Sequence, residues 1–486
     1  MSEAHNDNVM ELDFQNLKAL VARQRSAFRA EGDVTYATRI DRLKRLKALI
    51  VENKSEFATT TKREFNGARS YEFSLFSEFA SKVEAIDYSM KYLKEWMKPE
   101  KRKTNKPMNF LGGKGQVRYF PKGVVGIISP WNLPFGLTVA PLTSALAAGN
   151  RALLKPSEYV PETAALFADV VPKYFATEEV VVVTGGAETS QHFAELPFDH
   201  LLFTGSTRVG SQVMQSASKN LVPVTLELGG KSPVIIGRSA KLDLAGTRLT
   251  FGKLLNGGQL CLSPDYVLVP NEMEEQLISR IKHEVESMYP NIIENSDYAG
   301  VFNERHFARL QSYIDDAVAK GAKLTIVGGD ETSASKDNRR MPLHILQNVN
   351  DTMHVMHEEI FGPVLPIMTY GDITEVPDQI EPRRNPLAMY YFGKDKVEQE
   401  YLLSRVQSGG VCINDITLHY VQEDLPFGGV GASGTGAYHG PEGFRNMSHS
   451  RAIYSQTMID VLPIIGARPP FGEKFRKRIS KVLGTI

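Results

Sequence analysis

Cysteine and long apolar runs are scarce in this chain. Only two of its 486 residues are cysteines, Cys261 and Cys412. Two cysteines cannot form a disulfide framework and no spacing resembles a zinc site, so we expect no bound metal and a reducing compartment, the cytoplasm. No run reaches the roughly 18 apolar residues of a transmembrane helix, and residues 1–7 are polar and lack the apolar segment of a signal peptide. The sequence therefore predicts a protein without a membrane span.

An excess of charge of one sign is also absent. Lys plus Arg and Asp plus Glu each total 56, so no net field draws in nucleic acid, and we expect no such partner. The hydrophobic fraction of 42% is ordinary for a globular protein. A chain of 486 residues is too long for one ordinary hydrophobic core and predicts two or three domains.

Two apolar stripes predict helices in the first hundred residues. The first stripe has apolar residues three or four positions apart at Ile40, Leu43, Leu46 and Ile50. The second has the same spacing at Phe76, Phe79, Val83, Ile86, Met90, Leu93 and Met97. We interpret both stripes, aromatic residues included, as core packing.

From residue 116 onward, short apolar strands alternate with helices. The predicted strands cover residues 116–120, 124–128, 151–154, 180–183, 200–204, 233–236, 266–269 and 323–327. The predicted helices between them cover residues 138–148, 161–174, 274–289 and 303–320, with another after Gly210. This alternation predicts an α/β protein with parallel, doubly wound sheets, in which ligands bind at the carboxyl ends of the strands.

Three segments stand outside this pattern. Residues 101–115 are basic and contain glycine, which predicts a linker, and residues 332–340 are polar, which predicts a surface loop. Residues 471–486 place apolar side chains among five Lys and Arg and predict an amphipathic basic helix. We interpret that helix as a subunit-packing element, with weak attachment to an anionic lipid surface as the alternative.

Cys261 and Glu227 are the first candidates for chemistry. Cys261 follows two glycines and Gln259, which would give a ligand access, and lies 34 residues (261 minus 227) after Glu227. A thiol with a carboxylate partner suggests a covalent catalyst and its general base. Glu227 has a leucine on each side, and burial there would raise its pKa towards neutral pH. The alternatives are an inert buried cysteine, which is our interpretation of Cys412, and a glutamate that faces solvent or caps a turn.

Three further candidates lie in loops that follow predicted strands. The amide of Asn132 could stabilise an oxyanion, although an asparagine in a turn often has a structural role. Lys155 and Glu158 could bond to ribose hydroxyls, or could belong to a solvated turn. If Glu158 does hold a ribose, its charge disfavours a 2′-phosphate there, an effect that Lys155 would partly offset.

A glycine-containing turn joins the strand at 200–204 to the next helix. Residues Gly205 to Gly210 read Gly-x-Thr-x-x-Gly, and glycine beside a helix N-terminus can receive a pyrophosphate. Two glycines in such a turn can also have a purely steric reason. The strand before the turn and the helix after it favour a dinucleotide site.

Seven motifs, in this order, resemble those of NAD(P)-dependent aldehyde dehydrogenases. They are Ser129-Pro130-Trp131-Asn132-Leu133-Pro134-Phe135, Lys155-Pro156-Ser157-Glu158, the turn from Gly205 to Gly210, Leu226-Glu227-Leu228-Gly229-Gly230-Lys231-Ser232-Pro233, Gly258-Gln259-Leu260-Cys261, Glu358-Glu359-Ile360-Phe361-Gly362-Pro363-Val364 and Pro426-Phe427-Gly428-Gly429-Val430-Gly431-Ala432-Ser433-Gly434. The resemblance extends from about residue 10 to about residue 455.

Finer details resemble the class 3 branch of this family. They are Pro264-Asp265-Tyr266 and Gly436-Ala437-Tyr438-His439-Gly440. Two N-terminal stretches, at 23–28 and 41–44, are similar to bacterial coniferyl-aldehyde dehydrogenases. Leu260 departs from the family, because many relatives have a small or polar residue there, and it would narrow or dry the substrate pocket.

The resemblance implies a fold and a domain division. The expected fold is α/β, with a Rossmann-like cofactor domain, an α/β catalytic domain and a small bridging β-element for oligomerisation. The expected bounds are 1–105 and 124–228 for the cofactor domain, 229–425 for the catalytic domain, and 106–123 with 426–486 for the bridging segments.

The resemblance also implies the role of each site residue. Cys261 would attack the aldehyde, Asn132 and the backbone N–H of Cys261 would hold the oxyanion, and Glu227 would activate the water that hydrolyses the thioester. Glu359 would hold the nicotinamide ribose, with Phe361 against the ring. The remaining cofactor contacts would come from Trp131, Lys155, Ser157, Glu158, Gly205, Ser206, Thr207, Gly210 and Leu228.

We therefore expect a cytoplasmic, homodimeric oxidoreductase that converts an aldehyde to the carboxylate with NAD, with NADP as the alternative cofactor. Its expected substrate is an aromatic aldehyde such as coniferyl aldehyde, or else a medium-chain aliphatic aldehyde. One alternative is a dehydrogenase that transfers the acyl group to coenzyme A, although Glu227 argues against it. Another is a non-catalytic structural or binding protein on the same scaffold.

Overall fold

Helices form the beginning of the chain in the computed structural model, which describes residues 13–106, 108–330, 339–383 and 385–484. They are α1 (Phe14–Glu31), α2 (Tyr36–Glu64), α3 (Tyr71–Ser74), a π-helical segment (Leu75–Ala80) and α4 (Ser81–Trp96). Leu43, Leu46 and Ile50 of the first predicted stripe are buried in α2. The predicted loop at 332–340 lies outside the described residues except for its last two.

The second predicted stripe is wrong at one residue. Phe79, Ile86 and Leu93 are buried, whereas Phe76 is 68% exposed. The π-helical segment Leu75–Ala80 widens the helical turn by one residue and so changes which side chains face the core. The spacing rule failed here because it assumes an uninterrupted α-helix.

A strand begins where the sequence predicted a linker. β1 (Glu100–Arg102) pairs antiparallel with β2 (Lys114–Pro121), so the linker prediction for 101–115 is wrong at both ends. Three consecutive charged residues gave no strand signal at β1, because its side chains are mostly exposed. The predicted strand at 116–120 lies within β2.

The first large sheet is doubly wound, as predicted. Its elements in chain order are β3 (Val124–Ile128), α5 (Gly136–Ala148), β4 (Arg151–Lys155), α6 (Pro161–Val170), β5 (Val180–Val182), α7 (Ala187–Ala194), β6 (His200–Thr204), α8 (Thr207–Ser218) and β7 (Val224–Glu227). The strands are parallel in the order β7-β6-β3-β4-β5. The strand order reverses between β3 and β6, and ligands of such sheets bind at that point, beyond the carboxyl ends.

The second large sheet is the α/β unit predicted after residue 233. Its elements are β8 (Pro233–Ile236), α9 (Leu242–Leu254), β9 (Tyr266–Pro270), α10 (Glu274–Met288), α11 (Glu304–Ala319), β10 (Lys323–Val327), β11 (Leu343–Gln347), β12 (Val364–Tyr370), α12 (Val376–Ile380), β13 (Ala388–Phe392), α13 (Lys396–Arg405) and β14 (Gly410–Ile413). The order is β10-β11-β12-β9-β8-β13-β14, and only the β10–β11 pair is antiparallel. An apolar cluster continues between the two large sheets and includes Ile127, Leu154, Val234 and Val267.

The last elements of the described chain include two strands that pair with earlier sheets. They are β15 (Gly434–Thr435), α14 (Gly440–Asn446), β16 (Ser448–Ser455), α15 (Val461–Ile464) and α16 (Glu473–Leu483). β15 pairs with β7, and β16 pairs antiparallel with β2 to complete a three-stranded sheet. The predicted basic helix is α16, and none of its side chains is buried. Within the described part of the chain, no helix has both the length and the apolar character needed to cross a bilayer.

Candidate functional site

A cleft of about 690 Å³ lies at the carboxyl ends of β6 and β7 and extends to loops of the second large sheet. Most of the residues that the sequence selected line it, namely Trp131, Asn132, Gly205, Ser206, Thr207, Glu227, Leu228, Cys261, Glu359 and Phe361. Lys155, Ser157, Glu158 and Gly210 are not among its lining residues. The structure thus brings together the predicted thiol, carboxylate and amide with one end of the predicted cofactor site.

Cys261 follows a left-handed turn that requires its glycines. Gly257 and Gly258 have φ values of 63° and 76°, and a Cβ on Gly258 would lie 2.6 Å from the carbonyl oxygen of Gly362. The Gln259 side chain bonds to backbone groups, including the carbonyl of Gly300 and the N–H of Phe302, and is buried. The glycines and Gln259 therefore shape the backbone that presents Cys261 to the cleft, and their predicted part in ligand access stays a prediction.

The thiol of Cys261 is half-buried and neutral at rest. Burial raises its pKa, and the nearby carboxylates of Glu359 and Glu227 raise it further. A thiol in this setting needs a base before it can act as a nucleophile. Cys412, which we predicted to be buried, is also half-buried and packs against the main apolar core, but unlike Cys261 it is not among the cleft's lining residues.

Glu227 ends β7 and is buried, as its leucine neighbours predicted. Its side chain is 3% exposed, and neither carboxylate oxygen has a hydrogen-bond partner among the described residues. Burial raises the pKa of Glu227 well above its usual value. A carboxyl group of this kind can exchange a proton near neutral pH, which is the property required of a general base beside a thiol.

Asn132 lies in the loop between β3 and α5 and contacts the segment that carries the cysteine. Its side-chain Nδ2 donates to the backbone carbonyl of Gln259 at 3.0 Å. Its own backbone carbonyl accepts from Arg69 Nη1 at 2.8 Å and from Asn256 Nδ2 at 3.2 Å. The amide is therefore held next to Cys261, two residues beyond Gln259.

Glu359 is positioned by an ion pair that the sequence did not reveal. Lys231 bonds to Asp265 and also donates to the carbonyl of Glu358 at 3.0 Å. Asp265 accepts from the N–H of Ile360 at 2.8 Å, so this pair holds the backbone on both sides of Glu359. Burial, reinforced by Asp265, raises the pKa of Glu359 to about 8.

The predicted dinucleotide turn opens helix α8. Ser206 caps the helix by accepting from the N–H of Val209, so the free amides of the first turn face the cleft end of the sheet. A Cβ on Gly210 would come within 2.6 Å of the Leu228 side chain. The second glycine thus has a steric reason, which was the alternative that the sequence left open.

The predicted adenosine-ribose residues lie at the end of β4 and in the loop that follows it. Lys155 is buried and its Nζ donates to the carbonyl of Pro156 at 2.9 Å. Ser157 is buried and accepts from the N–H of Tyr159, whereas Glu158 is exposed. Their part in cofactor binding stays a prediction.

The sequence analysis did not identify several residues that line the cleft. His306, Arg309 and Arg383 line the cleft, and Arg309 donates to the carbonyl of Ile360 at 2.7 Å. Burial lowers the pKa of His306 to about 4, helped by neighbouring arginines. Their helices carry no motif, and only the tertiary fold turns them towards the cleft.

The cleft fits a nicotinamide dinucleotide. It offers a helix N-terminus, the exposed Arg208 for a negative phosphate and a buried Thr204 hydroxyl without a hydrogen-bond partner among the described residues. Trp131 and Phe361 add aromatic surface, with ring centroids 5.6 Å apart. No group of His, Cys, Asp or Glu in the described residues is arranged to hold a metal ion.

Comparisons with known proteins give the family of this chain's relatives. A model of the Aldehyde dehydrogenase family matches residues 3–453. A protein named "Probable coniferyl aldehyde dehydrogenase" from Caulobacter vibrioides is 44% identical over 463 residues, which is 95% of each chain. Coniferyl aldehyde dehydrogenase from Pseudomonas sp. strain HR199 is 41% identical over 472 residues, which is 97% of each chain.

Solved structures agree with this assignment. Staphylococcus aureus AldH, in a substrate-bound state, superposes with a TM-score of 0.88 at 33% identity and covers 96% of this chain and 99% of its own. A Mycobacterium tuberculosis aldehyde dehydrogenase complexed with NAD⁺ superposes with a TM-score of 0.81 at 26% identity, over 93% of this chain and 92% of its own.

Proposed function

Because the chain belongs to the aldehyde dehydrogenase family and oxidises an aldehyde to the acid with a nicotinamide cofactor, we propose that Cys261, Glu227 and Asn132 carry this reaction. One observation supports the proposal most strongly. A thiol and a buried carboxyl group without a hydrogen-bond partner among the described residues line the same cleft. Transfer to coenzyme A and a non-catalytic role, the two alternatives, find no support in the relatives.

The proposed reaction uses the side chains in turn. The Cys261 thiol gives its proton to solvent as its sulfur bonds to the aldehyde carbon. The oxygen that gains negative charge is held by the Asn132 amide and the Cys261 N–H. The bound dinucleotide supplies a hydride acceptor at the carbon of this adduct. Glu227 then takes a proton from a water that attacks the resulting thioester, which releases the acid and the thiol.

We propose an aromatic aldehyde, such as coniferyl aldehyde, as the substrate, with medium-chain aliphatic aldehydes second. The names of the two relatives support the first choice. Leu260 is half-buried and Leu262 is buried, and neither is among the residues that line the cleft. Trp131, Leu137 and Phe361 line it and offer apolar surface suited to a ring or an alkyl chain.

We propose NAD rather than NADP as the preferred cofactor. Glu158 is exposed at the end of β4, where its charge would oppose a 2′-phosphate. The ammonium group of Lys155 is buried against the carbonyl of Pro156, which reduces its power to offset that charge. Comparing KM for NAD⁺ and NADP⁺ in Glu158→Gln tests this directly.

A homodimer in the cytoplasm is the proposed form of the enzyme. Strand β16 is an edge strand, and most of its residues are exposed, so it could pair or pack with a second copy. Two free cysteines suit a reducing compartment. We also propose the domain bounds given above, with α16 as a packing element of the dimer.

One assay tests the reaction and the substrate together. We expect wild-type protein to form NADH with coniferyl aldehyde at a higher kcat/KM than with octanal. Cys261→Ala should abolish turnover and still bind NAD⁺, whereas the matched variant Cys412→Ala should keep turnover. Turnover by Cys261→Ala would refute the proposed nucleophile, and a preference for octanal would refute the substrate alone.

A further inference from the structure

Arg69 and Glu78 form an ion pair in the interior, away from the cleft lining. Both side chains are 0% exposed, and Arg69 Nη2 lies 2.5 Å from Glu78 Oε1. Removing two charges from water is costly, and apolar side chains of similar size often stabilise a fold equally well. The hydrogen bonds that the pair makes therefore matter more than its net contribution to stability.

Glu78 binds the start of helix α5, just after Asn132. Its Oε2 accepts from the N–H of Phe135 at 2.8 Å and from the N–H of Gly136 at 3.0 Å. These amides have no partner within their own helix, and a carboxylate is favoured at a helix N-terminus. Glu78 comes from the π-helical segment Leu75–Ala80, a type of distortion that often occurs at functional sites.

Arg69 holds the other side of the same loop. Its Nη1 donates to the carbonyl of Asn132 at 2.8 Å, and its Nε donates to Ser74 Oγ at 3.1 Å. The ion pair therefore holds the loop by hydrogen bonds at two points, the Asn132 carbonyl and the Phe135 N–H three residues later. The Asn132 side chain then bonds to the Gln259 carbonyl, which leads directly to Cys261.

We infer that Arg69 and Glu78 are positioning residues, which hold the Asn132 amide where the oxyanion forms. The inference rests on the proposed role of Asn132 as the oxyanion donor. A displacement of about 1 Å in such a group can lower a rate by a factor of about 100. Neither residue touches the cleft, so their effect must pass through the loop.

The test replaces both charges at once so that neither is left buried alone. In Arg69→Met/Glu78→Gln, the glutamine oxygen can still accept from the start of α5, whereas the hydrogen bonds from Arg69 to the Asn132 carbonyl and to Ser74 Oγ are lost. We expect kcat and the single-turnover rate of hydride transfer to fall about 10- to 100-fold. KM for NAD⁺ and the rate of Cys261 alkylation by iodoacetamide should stay within about twofold.

The matched control is Arg42→Met, because Arg42 is also buried and paired, with Glu31 and Glu179, at a site remote from Asn132. The inference is overturned if this control lowers kcat as much as the double variant, or if the double variant leaves kcat unchanged. Adding Asn132→Ala to the double variant should slow hydride transfer no further than Asn132→Ala alone does, because both changes act through the Asn132 amide. Additive losses would show a role independent of Asn132, and wild-type rates in Asn132→Ala would instead refute the proposed oxyanion donor.

Discussion

Lys231 and Asp265 form a buried ion pair that connects the strand-end loop after Glu227 to the loop that carries Glu359. Each side chain is 4% exposed, and the pair is completed by hydrogen bonds from Lys231 to the carbonyl of Val355 and from Ile360 to Asp265. The pair thus couples the position of a predicted cofactor residue to the strand that ends in the predicted base.

Breaking this pair should be strongly destabilising. Lys231→Met would leave the Asp265 carboxylate buried without its partner, which typically costs about 3–5 kcal/mol. Urea denaturation should show this loss, and KM for NAD⁺ should rise because the loop around Glu359 is released. Arg238→Met is the control, since its pair with Glu272 is exposed and worth at most about 1 kcal/mol. Equal losses in the two variants would contradict the structural role of the buried pair.

Several parallel strands were predictable because consecutive apolar residues indicate burial on both faces. β3, β6 and β8 are buried on both faces, and each contains a run of apolar residues. The sequence analysis did not predict β1, β7, β11, β12, β13, β14, β15 and β16. β15 has two residues and exists only because β7 lies beside it.

The site was predictable only for those residues that lie in sequence motifs. Asn132, Glu227 and Cys261 stand in motifs that a family resemblance can identify. Arg69, by contrast, bonds to Asn132 from 63 residues away in sequence, and Glu78 bonds to Phe135 from 57 residues away (132 minus 69 and 135 minus 78). The exposure of Phe76 was missed because a single π-turn changes the helical period without any residue that signals it.

A side chain at Gly210 should disturb both packing and cofactor binding. In Gly210→Val, the first added carbon would meet the Leu228 side chain at 2.6 Å, and overpacking of this kind costs about 1–3 kcal/mol. We expect a lower urea midpoint together with a raised KM for NAD⁺. Gly472→Val is the control, because no atom lies within 4 Å of its added carbon. A raised KM at unchanged stability would mean that Gly210 serves the dinucleotide and not the packing.

Replacement of Glu227 by Gln should separate the two halves of the reaction. Without a base, the thioester on Cys261 would persist, so we expect one burst of NADH per active site and then very slow turnover in stopped-flow measurements. In wild-type protein, burial raises the pKa of Glu227, so hydrolysis should accelerate as rising pH removes its proton. Glu64→Gln is the control, because burial also raises the pKa of Glu64, which bonds to Thr163 far from the cleft. Steady turnover in Glu227→Gln would exclude Glu227 as the base.

Glu359 should make the folded protein less stable as the pH rises. Burial and the charge of Asp265 raise its pKa from 4.5 to about 8, so the folded state holds this proton more tightly than the unfolded state does. Its contribution to stability is complete below pH 4.5 and is lost as the pH rises towards about 8. Glu359→Gln should therefore flatten the dependence of the urea midpoint on pH in that window.

Glu179 should affect the pH dependence of the urea midpoint in the opposite direction, because its pKa is lowered. Burial alone would raise its pKa, but hydrogen bonds from Arg45 and Arg42 lower it to about 2. Its stabilising contribution is present above pH 4.5 and is lost as the pH falls towards about 2, so Glu179→Gln should change only the acid side of the profile. If Glu359→Gln also changed the urea midpoint only below pH 4.5, the Glu359 carboxyl would be ionised at neutral pH. That result would contradict its buried position beside Asp265.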